Sequence, residues 1–149
     1  MGKKTEEKIS VIKTALLKWK SLGENATAGE GKLKDALANR EAIDKKNDQY
    51  YKSKGWDGNK PGREQEMDTD KVYQKLQKDW EDAYTKVNQL QKIIVSLKTD
   101  LKNARGIVER CLADFETFVN EKDKNKDATK KKSVPAARVF IKEVRGALA

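Results

Sequence analysis

The 149-residue chain has no histidine, one cysteine and two prolines, and its longest apolar runs are three residues, as at Ile93-Ile94-Val95. Without histidine there is no histidine-based triad and no imidazole acid–base chemistry, and transition metals lose their commonest ligand. A lone cysteine, Cys111, rules out a disulfide scaffold. Apolar runs this short exclude a helical membrane span. Aromatic residues make up only 7% of the chain and hydrophobic ones 36%, enough for a small core but not for a large enzyme interior. What is abundant is charge, 38% of all residues, with Lys, Glu, Leu and Ala in the proportions of long helices. One domain, 1–149, is expected. No apolar stretch of signal-peptide length follows Met1-Gly2-Lys3-Lys4, so a cytoplasmic protein is expected.

Apolar spacing predicts an all-α fold. Ile9, Ile12, Leu16 and Trp19 recur at three and four residues, which predicts a helix over about 5–22. Three glycines in 23–32 predict a turn, and a second, poorer stripe predicts a helix over 33–54. Gly55, Gly58, Pro61 and Gly62 place a loop at 55–68. A long helix follows over 69–121, with Asp68 as its expected N-cap and Met67 and Val72 as a staple.

Along that helix Tyr73, Leu76, Trp80, Ala83, Val87, Leu90, Ile94, Leu97, Leu101, Ala104, Val108, Cys111, Phe115 and Phe118 alternate spacings of three and four. This coiled-coil-like heptad seam carries no charged or amide side chain. If continuous through Gly106, such a helix is roughly 80 Å long. Tyr84, Ile93, Ile107, Leu112 and Val119 widen the stripe, which calls for more than one neighbouring helix. The two N-terminal helices are therefore expected to pack along the long one. A short helix over 133–149, opened by Ser133-Val134-Pro135, should cover its far end beyond a 122–132 connector. Val87, Ile94 and Val108 alternating with leucines favour a parallel dimer, as does the Asp100–Arg105 offset. Tyr73, Trp80, Phe115 and Phe118 argue against a simple one, and packing inside one chain is an equal alternative.

The net charge of +9 is unevenly placed. The long helix is neutral. Residues 1–22 carry Lys3, Lys4, Lys8, Lys13, Lys18 and Lys20, and the connector carries Lys122, Lys124, Lys126, Lys130, Lys131 and Lys132. Clustered lysines of this kind bind anions through counterion release and charge attraction. Trp19 among its lysines, and Tyr50-Tyr51 among Lys45, Lys46, Lys52 and Lys54, would allow stacking on exposed bases, although Trp19 also continues an apolar stripe.

Other motifs fail. Asp123-Lys124-Asn125-Lys126-Asp127 opens like a calcium loop, but Ala128 stands at its glycine position and Val134 at its bidentate glutamate. Gly29-Glu30-Gly31-Lys32 lacks the first glycine and the hydroxyl of a phosphate loop, with Ala26 and Leu33 in their places. Cys111 lies on the seam, as a small hydrophobe does. Trp56-Asp57-Gly58, between two expected helices, is similar over three residues to the tryptophan-x-glycine turn of small secreted helical-hairpin proteins. Those are shorter and less basic, so the chain is not assigned to them, and Trp56 is expected to plug the end of a hairpin.

No catalytic constellation, metal site or cofactor is expected. The pattern predicts a non-catalytic assembly or adaptor protein, with other protein chains, including copies of itself, as partners and its two basic segments docking on an acidic one. The rival expectation is a nucleic-acid binder, and a third is a membrane-surface helix over 5–22.

Overall fold

The computed structural model describes residues 2–149, and among them there is no strand. The elements are α1 (Lys3–Ser53), a 3-10 turn (Trp56–Gly58), α2 (Arg63–Thr69), α3 (Lys71–Asp123), a second 3-10 turn (Ala128–Lys131) and α4 (Val134–Leu148). The all-α class, the long helix and the short C-terminal helix are as the sequence predicts. α3 is continuous through Gly106. No helix among the described residues is long and apolar enough to cross a membrane.

The N-terminal prediction needs correcting. The expected helices at 5–22 and 33–54 are one 51-residue helix, α1, which passes unbroken through the expected turn at 23–32. Each glycine there costs about 1 kcal/mol against alanine. Between them, however, Glu24, Ala26, Ala28, Glu30 and Lys32 favour helix, and no proline interrupts. The small residues also keep the period. Buried and half-buried positions run Thr5, Ile9, Ile12, Leu16, Trp19, Gly23, Ala26, Gly29, Leu33, Ala36, Arg40, Ile43, Asn47 and Tyr50, always three or four apart. A Cβ added at Gly23 would sit 3.8 Å from Leu101 Cδ1, so this glycine faces α3.

The chain divides into two compact units, one of Met1–Asn25 with Leu97–Ala149 and one of Ala26–Ser96. In the first, three helices share a core. α1 contributes Ile12; α3 contributes Val108, Leu112, Phe115 and Val119; α4 contributes Val134, Ala137, Ile141, Val144 and Leu148. Beyond Val108 the buried line passes through Leu112 and Val119, leaving Cys111 and Phe118 half-buried, because this part of α3 packs against two helices at once. Arg105 closes the far end of α4. Its Nη2 donates to the Leu148 carbonyl, its Nε pairs with Glu109 at 3.0 Å, and its guanidinium lies 5.7 Å from the Trp19 ring.

The second unit has a thinner seam. Ala26, Ala36, Ala83, Val87 and Ile94 are buried, and Leu76, Trp80 and Leu90 half-buried. Asp44 bridges the helices, accepting from Trp80 Nε1 at 3.0 Å and from the Tyr84 hydroxyl at 3.3 Å. At the turn, Gly55 and Gly62 adopt left-handed φ values of 70° and 77°, which end α1 and start α2. Trp56 is the plug its position predicts. It is fully buried, with the rings of Tyr50, Tyr51 and Tyr73 edge-on at 5.2 to 5.9 Å. Its Nε1 donates to Glu66 at 3.0 Å.

The cap of α3 is Asp70, not Asp68. The Asp70 Oδ1 accepts from the Tyr73 N–H at 3.0 Å, and its Oδ2 accepts from the Tyr50 hydroxyl at 2.6 Å. Asp68 falls instead within α2, and Val72, the expected staple, is 55% exposed.

Candidate anion-binding site

Within the first unit α1 and α3 run in opposite directions, and α4 turns back along α3. The first turns of α1 and α4 therefore lie at one end, beside the last turn of α3. Lys122, in that last turn, ties the three helices together. Its Nζ donates to Thr5 Oγ1 of α1 and to Ser133 Oγ at the start of α4, each at 3.1 Å, and lies 5.5 Å from the Phe118 ring centre. Thr5 and Ser133 are the buried polar residues of the described chain, and both engage this ammonium. Among the described residues no carboxylate pairs with it.

Around Lys122 is a concavity of about 550 Å³ lined by Gly2, Lys122, Asn125, Thr129, Lys130, Lys132, Ser133 and Ala136. None of these residues is acidic. The nearby acids of the connector have partners of their own. Asp123 pairs with Arg138 at 3.2 Å. Asp127 caps the second 3-10 turn, its Oδ1 accepting from the Thr129 N–H at 3.0 Å and from the Thr129 hydroxyl at 2.8 Å. These bonds from Thr129 hold the Asp127 carboxyl below its ordinary range. They also place Lys130 and Lys132 on a braced turn, and they occupy the carboxylate that would have been a calcium ligand.

The expected basic residues are thus only partly gathered. Lys122, Lys130 and Lys132 share the concavity, and Lys3 and Lys4 occupy the adjoining first turn of α1. Lys4 and Lys8 border a neighbouring groove with Glu7, Val11 and Phe118, where the Lys8 Nζ lies 5.1 Å from the Phe118 ring centre. Lys13 edges a separate groove between α1 and α4 with Ile9 and Phe140. Lys124 and Lys126 are exposed on the connector, and Lys131 is half-buried. Lys18 and Lys20 are exposed farther along α1, about 22 Å or more from its start at 1.5 Å per residue. The residues expected to stack on bases are otherwise engaged, Trp19 beside Arg105 and Tyr50 and Tyr51 against Trp56.

The sequence reading missed Thr5, Ser133 and Gly2 as parts of this site. Thr5 was detectable, since it precedes Ile9 by four residues and so falls in phase with the apolar stripe. A polar residue on a buried stripe asks for a partner. That the partner is Lys122 depends on the direction of α1, which spacing does not reveal. No protein-family model, characterised protein or solved structure matches the chain.

Proposed function

We propose that this chain is a non-catalytic helical adaptor that docks on an acidic protein through the basic end of its three-helix unit. The observation that carries the reading is a concavity lined by Lys122, Lys130 and Lys132, beside the first turn of α1 with Lys3 and Lys4, and by no carboxylate among the described residues. The unit that holds it has 19 basic and 11 acidic residues, whereas Ala26–Ser96 has 14 and 13. An electrostatic surface of this kind speeds encounter with an oppositely charged partner and selects against like-charged ones.

The adaptor is read as a monomer. Val87, Ile94, Val108 and Phe115 are already buried within one chain, which supports a seam used internally rather than between copies. Arg105 likewise has partners within its own chain, the Leu148 carbonyl and Glu109. A free Cys111 suits a reducing, cytoplasmic setting.

The test is light-scattering mass with absorbance at two wavelengths, at low and high salt, together with binding of a labelled polyglutamate chain. A mass of 16.9 kDa, no excess absorbance at 260 nm and salt-sensitive polyglutamate binding are expected. Excess 260 nm absorbance that high salt removes would replace the acidic protein with nucleic acid. A mass of twice this value would return the seam to an interchain role.

A further inference from the structure

We propose that the concavity beside Lys122 receives a phosphoryl group, carried as phosphoserine or phosphothreonine on the acidic partner. This rests on the adaptor reading and narrows it to one ligand chemistry. The first support is Lys122 itself. The residue is half-buried and its ammonium bonds to two neutral hydroxyls, with no carboxylate partner among the described residues. Burying an uncompensated charge is costly, and an anion in the adjoining space offsets that cost.

The second support is the rim. Lys130 and Lys132 stand on the turn that Asp127 braces, and Asp123 and Asp127 are occupied by Arg138 and Thr129. Three lysines thus line one space with no carboxylate partner among the described residues.

The floor adds a third contribution of the same sign. The first intrahelical bonds of α1 and α4 are Glu6 N–H to Gly2 and Ala137 N–H to Ser133, both at 3.0 Å. The N–H groups ahead of these bonds have no helical acceptor, and the Ser133 side chain does not cap them. Two helix ends and three lysines suit a tetrahedral dianion with three acceptor oxygens better than a planar carboxylate of one charge. The cations lining the space are all lysine, which binds phosphate as a point charge.

The experiment uses the full chain and fluorescence anisotropy with three labelled peptides of one acidic sequence, differing only in a central phosphoserine, glutamate or serine. The phosphoserine peptide should bind at least tenfold tighter than the glutamate peptide, and millimolar inorganic phosphate should displace it. Lys130→Gln/Lys132→Gln, on the exposed rim, should abolish that tenfold advantage, whereas Lys75→Gln/Lys78→Gln, with the same loss of charge on the other unit, should keep it. Lys122→Met should act like the rim variant wherever circular dichroism shows its helices intact. Equal binding of phosphoserine and glutamate peptides would overturn the phosphoryl proposal and leave acidic docking standing. Binding of none of the three at low salt would overturn both. Tighter binding of a twenty-residue oligothymidylate, lost in the rim variant, would overturn the protein source in favour of nucleic acid.

Discussion

In the unit of Met1–Asn25 and Leu97–Ala149, ten buried apolar residues from three helices form one cluster. In Ala26–Ser96 two long helices meet over alanines, Val87 and Ile94, and even this seam contains Asn47, whose Oδ1 is buried without a partner. That unit draws instead on polar bridges, through Asp44 and Asp70, and on the rings around Trp56. The charge follows the same division, with most of the excess on the better-packed unit. Like charges on one surface repel and work against compactness. The unit with a third helix has the apolar burial to carry that repulsion, and it is where the lysines gather.

The largest effects should come from attacking each unit at its own kind of support. Phe115→Ala removes a side chain 1% exposed from the three-helix core and should destabilise by about 3–5 kcal/mol in chemical denaturation. Hydrogen exchange should show α4 losing protection before the turn at 55–70 does. Simultaneous loss in both regions would mean that the units do not open separately. Gly31→Pro is the matching strike on the other unit. In a helix interior it should cost about 3 kcal/mol or more; were 23–32 the turn that its glycines suggest, it would cost little.

That contrast shows how far the sequence could be read. Large side chains at regular spacing predicted α3, α4 and the first part of α1, because burial of such residues dominates the energetics. The same search stopped at Gly23, Ala26 and Gly29, which hold buried or half-buried positions while adding almost nothing to an apolar stripe. The short α2 was invisible too: Arg63–Thr69 has no buried residue and depends on local turns and on Glu66 meeting Trp56. Of the candidate site, the lysines could be listed from the sequence, yet their grouping could not. Only the antiparallel course of α1 and α3, and the return of α4, joins residues 2–5 to 122 and 133.

The turn of the second unit should also be the more sensitive to pH, in directions fixed by its hydrogen bonds. Glu66 lies below its ordinary 4.5 because it accepts from Trp56 and Lys60. Asp70 lies below 3.8 because it accepts from Tyr50 and from the Tyr73 N–H. Their contribution is therefore fully present above those ordinary values and is lost as pH falls through the lowered ones. Tyr50 is displaced the other way, from 10.0 to about 12, chiefly because its hydroxyl donates to Asp70. Its contribution is complete below pH 10 and declines as pH rises toward about 12. Absorbance titration at the phenolate wavelength should show one late-ionising tyrosine that disappears in Tyr50→Phe. An unchanged titration in that variant would remove the Tyr50–Asp70 bond from the account.

The smallest predicted effect compares the units most evenly. Gly31 in α1 and Gly106 in α3 both lie inside long helices, and a Cβ at either would meet nothing within 4 Å. Gly31→Ala and Gly106→Ala should therefore each stabilise by about 1 kcal/mol, because alanine has less chain entropy to lose and fits both sites without a clash. Equal gains in thermal denaturation would mean that the glycine-rich stretch of α1 is as firmly helical as the middle of α3. A gain at Gly106 alone would mean that 23–32 is helical only part of the time, so that removing its backbone freedom brings little return. The helical pairing of the second unit would then be supported chiefly from its aromatic turn, and disruption at Trp56 should loosen α1 as far as that stretch.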